Sequence, residues 1–143
     1  MYLKKFYVNS RTSPQIHNIT VEAKQALRES QAKNGLLLVL VTSGTAGVTL
    51  LENDIKIKES LQNWLMEQFP ETEGAKPKRI SHSGKDSAHL RAALLSPSLA
   101  LPVERGLLAI SPWQEIILMD FEEAGKRREF QIQILSENPG GGK

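Results

Sequence analysis

Three histidines, one small-residue bend and one acid carry the chemistry this chain could do. His82 and His89 stand seven residues apart in the polar run Ile80-Ser81-His82-Ser83-Gly84-Lys85-Asp86-Ser87-Ala88-His89. A spacing of seven across a loop and a helix start is not the i, i+4 pairing that sets two side chains on one helical face, so the fold must bring them together. A lone histidine is more often structural than a ligand. Two in one polar segment, beside Asp86 and several hydroxyls, favour a working role as proton carriers or metal ligands. With Glu52 they would supply the three donors of a catalytic metal shell. Ser43 invites a nucleophile reading, with loop amides as oxyanion donors and a histidine as base. The glycines of Ser43-Gly44-Thr45-Ala46-Gly47 do not flank the serine at two residues on each side, as a nucleophile elbow requires. No Gly-Lys-Ser/Thr follows, so the bend is not a nucleotide-hydrolase phosphate loop either. Taken alone, it is a turn between two strands whose glycines allow close backbone approach and whose hydroxyls could meet an anion.

The elements that must position these residues begin with the run Gly35–Val41, apolar from Leu36 onward. Six apolar residues without polar interruption predict a strand buried on both faces. It empties into the Ser43–Gly47 bend, and a second apolar run then delivers Glu52. Ahead of it, Leu3 to Val8 reads as a first strand and Gln15 to Ile19 as a short extended piece. Thr20 is expected to cap a helix that ends at Asn34-Gly35. Asn53-Asp54 is expected to cap a second helix, with Ile57, Leu61, Trp64, Leu65 and Phe69 as its core stripe. Asp86 would cap a short helix, placing His89 in the first turn with Leu90 and Leu94 inward. From Ser98 onward the pattern is strand and turn, ending in the alternating run Arg128–Ile134. Trp113 reads as core or interface, and Gln114 could present an amide to a polar ligand. Turns this short cannot be parallel crossovers, so the expected class is α+β, with mostly antiparallel strands in two packed sheets, two longer helices and one short one.

Length and composition narrow the function classes. At 143 residues the chain fits one domain, taken as 1–137, with 138–143 as a flexible tail. It has no cysteine, which excludes disulfides and thiolate metal sites. A net charge of +2 does not argue for nucleic acid, and no apolar run approaches a membrane span. The start Met1-Tyr-Leu-Lys-Lys lacks the apolar core of a secretory signal, so a cytoplasmic location is expected. Two basic triplets, Lys76/Lys78/Arg79 and Lys126/Arg127/Arg128, read as solvated surface, with phosphate contact as the alternative for the Lys126/Arg127/Arg128 triplet.

Taken together, these stretches resemble the YjbQ-like family, often named secondary thiamine-phosphate synthase. The correspondence runs through Ile19-Thr20, Gly35, Thr45-Ala46 with Glu52-Asn53, Ala88-His89-Leu90, Leu101-Pro102-Val103 with Gly106, Pro112-Trp113-Gln114 and Arg128. The resemblance implies an α+β fold that assembles as a homotrimer. It also implies a pocket lined by the loop after the central strand and by the histidine segment, and a weak ability to join a pyrimidine diphosphate to a thiazole phosphate. Some members are described as metal-binding. The family's pocket has three histidines, one of them opening a His-Thr-Thr-Ala motif. Here that position is Ser43, the asparagine before Ala88 is missing, and Ser96 replaces a glycine. His89 and His82 match the other two.

Two readings follow from the resemblance. In the first, His89, His82 and Glu52 are catalytic and His82 and His89 hold a divalent metal, Mg²⁺ for diphosphate chemistry or Zn²⁺ at the imidazoles. Ser43, Gly44, Thr45, Gln114 and Arg128 then hold the phosphorylated ligand. In the second, the trimer keeps a small-anion pocket or a scaffold role and has lost the chemistry, since a hydroxyl is a poor substitute for imidazole in a transition-metal shell.

Overall fold

The structure is a computed structural model describing residues 1–70, 84–122 and 127–137. In chain order its elements are β1 (Tyr2–Asn9), β2 (Gln15–Asn18), α1 (Thr20–Ser30), β3 (Gly35–Val41), β4 (Ala46–Glu52) and α2 (Ile55–Gln68). They continue as α3 (Gly84–Leu95), β5 (Ser98–Glu104), β6 (Leu107–Leu108), β7 (Gln114–Asp120) and β8 (Arg127–Ser136). The strands form two antiparallel sheets, five-stranded in the order β1-β8-β3-β5-β6 and three-stranded in the order β2-β7-β4. The α+β class with two packed sheets is the one expected. The third helix, at 12 residues, is no shorter than α1.

The main core lies between the sheets and under α1. Leu37, Val39, Val41, Leu101, Val103, Phe130, Ile132 and Ile134 meet Ala46, Val48, Ile116 and Leu118 there, with Ile19, Ala23, Ala26 and Leu27 closing one side. A second cluster covers the other face of the small sheet: Ile117, Met119 and Phe121 pack against Leu65 of α2 and Ala88 and Ala92 of α3. The strand buried on both faces is therefore β7, not β3. Along β3 burial alternates, and Leu36 on its outer face is 46 % exposed. An unbroken apolar run says that neither face is polar; it does not say that the same chain covers both.

Local chemistry explains the boundaries. Asp54 caps α2, its carboxylate accepting from the backbone N–H of Lys56 and Ile57. Thr20 is the first residue of α1 rather than its cap: its hydroxyl donates to Asn18 Oδ1 at 2.6 Å and accepts from the Ile116 N–H at 2.9 Å, tying α1 to β7. That helix ends at Gln31 in the left-handed region, before Asn34-Gly35. Gly35 has another task, because a Cβ there would lie 2.0 Å from the Leu135 carbonyl oxygen. Trp64 is 47 % exposed, so it is not part of the α2 core stripe, and Leu94 faces outward from α3 at 51 % exposed. The buried residues of α3 are Ser87, Ala88, Arg91 and Ala92.

Candidate functional site

The connection between β3 and β4 is held by its own hydroxyls. Ser43 Oγ and Thr45 Oγ1 are 3.0 Å apart, and Ser43 Oγ accepts the Thr45 N–H at 3.2 Å. Thr45 is buried and its carbonyl accepts from the Phe121 N–H at 2.9 Å. It therefore shapes the bend instead of facing solvent, whereas Gly44 is exposed and Ser43 half-buried.

His89 comes to this bend from α3. A Cβ built on Gly44 would stand 3.0 Å from both Cε1 and Nδ1 of the His89 ring, so the imidazole lies flush against the glycine backbone. Four attachments hold the helix in place. Gly47 meets α3 so closely that a Cβ would be 3.0 Å from the Ala92 carbonyl, Leu95 Cβ and the Ser96 carbonyl. The Val48 N–H donates to the Ser96 carbonyl at 2.9 Å. On the other side, Ser87 donates to the Pro70 carbonyl at 3.1 Å and the Arg91 guanidinium donates to the Phe69 carbonyl. His89 falls in the second turn of α3, not the first, and it remains exposed to solvent.

Beside the bend lies a polar network that no sequence argument found. Ala46 is the register partner of Asp120, a fully buried acid at the end of β7. Asp120 Oδ2 accepts from Ser10 Oγ at 2.5 Å and from Arg128 Nε at 2.9 Å, while Oδ1 accepts the Glu122 N–H at 3.0 Å. Because Ser10 gives its only proton to the carboxylate, it must accept from His17, whose Nε2 is 3.0 Å away; this assigns the Nε2–H tautomer. Burial holds the His17 imidazole below its ordinary value, against the opposing pull of the Asp120 and Glu22 charges. Arg128 is thus largely committed to a buried ion pair. Its Nη2 lies 3.8 Å from Glu122 and has no hydrogen-bond partner among the described residues, so one edge of the guanidinium is still unsatisfied.

Not every expected residue meets here. Glu52 and Gln114 are register partners of each other at the opposite end of β4 and β7 from Ala46 and Asp120. Six residues of strand put Glu52 roughly 20 Å from the bend, so within one chain it cannot orient His89. Gln114 lines a different cleft, and its Oε1 accepts the Ser111 N–H at 2.9 Å. His82 and the Lys76/Lys78/Arg79 triplet lie outside the described residues, as do Lys126 and the 138–143 segment. Among the described residues no three His, Asp or Glu side chains are grouped to hold a metal ion. Among the described residues the bend offers one imidazole and two mutually bonded hydroxyls, and the second expected ligand, His82, is not one of them. The signal that could have found Asp120 is an acid closing the apolar run Ile116–Met119, which demands a cation nearby and has one in Arg128. Nothing in the sequence around Ser10 or His17 marks them as its partners.

The protein-family model described as UPF0047 protein YjbQ-like matches residues 4–137. The chain is 28 % identical over 137 residues to UPF0047 protein MJ1081 of Methanocaldococcus jannaschii, covering 94 % of this chain and 95 % of that protein. It is 28 % identical over 141 residues to UPF0047 protein YjbQ of Escherichia coli O157:H7, covering 96 % of this chain and 100 % of that one. A crystal structure from Sulfolobus solfataricus P2, described as a YbjQ-like protein of unknown function, superposes with a TM-score of 0.85 at 26 % identity, over 95 % of this chain and 97 % of that one. None of these names carries an activity. All three helices and every strand but the first two residues of β1 fall inside the matched residues, and the chain belongs to the YjbQ-like UPF0047 family.

Proposed function

We propose that the end of the sandwich carrying Ser43, Gly44, His89 and Arg128 binds a small phosphorylated molecule and supports weak transfer of the thiamine-phosphate-synthase type. The observation that carries this reading is the His89 ring lying against Gly44, which brings an exposed imidazole to a bend with an approachable backbone. In such a transfer the thiazole nitrogen forms a bond to the pyrimidine methylene carbon as the methylene–oxygen bond breaks. Diphosphate leaves with the electron pair. The site's task is to meet the charge that develops on the leaving oxygens with N–H donors. His89 is the donor this reading places there, with the exposed Gly44 backbone beside it. No step is assigned to a metal, because His82, the second expected ligand, lies outside the described residues.

A second, non-catalytic reading is favoured by one specific feature, the position of Glu52 and Gln114 at the far end of the sheet. In that reading the same end binds a small anion without turning it over. A homotrimeric assembly belongs to both, and the open apolar face of β3 supports it.

The test combines pyrophosphate binding, read by amide shifts at 43–45, with synthesis of thiamine phosphate from the pyrimidine diphosphate and thiazole phosphate. The catalytic reading expects His89→Ala to lower synthesis by about 100-fold. Equal trace synthesis in both proteins overturns it, and pyrophosphate binding that persists without turnover then selects the non-catalytic reading. Absence of pyrophosphate shifts at the bend overturns both.

A further inference from the structure

The face of α1 away from β1 sets Lys24 and Arg28 one helical turn apart, with buried Leu27 between them. Opposite stand Leu107 and Leu108 of β6 and, after it, Ile110 and Pro112. The space between these walls is a cleft of about 350 Å³, within the range of small-molecule sites. Its charged lining residues are Lys24 and Arg28 alone, and neither is ion-paired to a carboxylate among the described residues. Gln114 completes the polar part. Because its Oε1 is taken by the Ser111 N–H, the amide is fixed and its NH₂ remains as a donor. Leu107, 70 % exposed, gives the rim an apolar edge.

Two cations one turn apart, a fixed amide donor and an aliphatic wall are the complement of a molecule with one anionic head and an apolar body. We infer that this cleft is a second binding site, separate from the bend at Ser43–Thr45, for a small amphipathic organic anion of the medium-chain carboxylate class. The head sits between Lys24 and Arg28 and the chain lies along Leu27, Leu107 and Ile110. It is independent of the proposed transfer, because Gln114 and its register partner Glu52 are at the other end of the sheet from Ala46.

Octanoate is the probe, titrated into uniformly ¹⁵N-labelled full-length protein, with octylammonium and octanol as controls. Saturable binding at about 1 mM or tighter is expected for a ligand of this size, with shifts gathered at 24–28 and 106–114. The double variant Lys24→Glu/Arg28→Glu should weaken octanoate about tenfold or more, as expected for losing charge-assisted contacts, and should leave octanol unchanged. Its near-native amide spectrum would show that the fold persists, since both residues are exposed. A second variant, Leu107→Asp, separates a ligand cleft from a subunit contact. Loss of octanoate binding with an unchanged sedimentation coefficient supports the inference. Dissociation of an oligomer by Leu107→Asp, equal affinity for octylammonium, or octanoate shifts scattered away from the cleft would each overturn it.

Discussion

Asp120 shows what a single residue can cost and secure. It sits fully buried between the sheets, and its three donors come from the end of β1, from β8 and from the backbone just beyond β7. Removing its charge leaves the Arg128 guanidinium, whose side chain is 11 % exposed, with only Glu122 at 3.8 Å as a counter-charge. Asp120→Asn should therefore destabilise the protein by about 3 kcal/mol in urea denaturation, near the lower end for a broken buried pair. The double change with Arg128→Met should cost less than the sum of the singles, because no orphaned charge remains. His17 adds a pH signature to the same network. Its folded-state value is depressed, so between pH 6.5 and that lower value the unfolded chain binds the extra proton and the folded chain does not. Stability from this source is complete above pH 6.5 and declines as pH falls below it. His17→Gln should remove that slope, checked by denaturation midpoints from pH 7.5 down to pH 5. Glu29 belongs to a separate window: its hydrogen bond from Tyr2 leads the influences that hold it at about 2, so its contribution fades only as pH drops below 4.5.

At the level of elements, the sequence carried the strands and turns well and the burial of their faces poorly. The alternation Arg128–Ile134 is a half-covered strand in the structure, and the Glu104-Arg105-Gly106 connection is a tight turn with Arg105 and Gly106 at positive φ. The apolar runs of β3 and β7 look alike in one dimension. What separates them is that α2 and α3 pack on the small sheet and cover the second face of β7, a fact of tertiary layering that periodicity does not contain. The same layering places His89. Gly47 is the point where α3 rests on β4, so a larger side chain there must push the helix, and the imidazole with it, away from Gly44. Gly47→Val is expected to cost about 2 kcal/mol through overpacking, and to weaken pyrophosphate binding at the bend more than this loss of stability explains. Amide shifts in α3 and at 43–45, compared with wild type at a temperature where both are folded, check the two effects separately.

For the whole molecule, the decisive asymmetry among the described residues is between a small sheet covered on both faces and a large sheet covered on one. The outer face of the large sheet carries Leu36 and its register partner Leu135, 46 % and 56 % exposed, with Leu3 farther along at 46 %. Single exposed leucines need no explanation; here a register pair on two neighbouring strands sets two of them side by side, where the proposed homotrimer would place a contact. The β3 run has no polar residue to face water, and the expectation that its own chain buries both faces fails at Leu36. In the proposed homotrimer a second copy would cover this face. The homotrimer proposed above then has a specific consequence. The double variant Leu36→Lys/Leu135→Lys places two cations on the patch without touching the buried face of β3 or β8, whose core residues are Leu37, Val39, Ile132 and Ile134. In the assembled protein those charges would be desolvated side by side, whereas in a free subunit they face water. Sedimentation equilibrium should show the wild type at three times the 15.9 kDa chain and the variant shifted toward a single chain, with an unchanged far-ultraviolet circular dichroism spectrum. A wild type that sediments as one chain, or a variant that keeps the wild-type mass, would remove this face from the assembly.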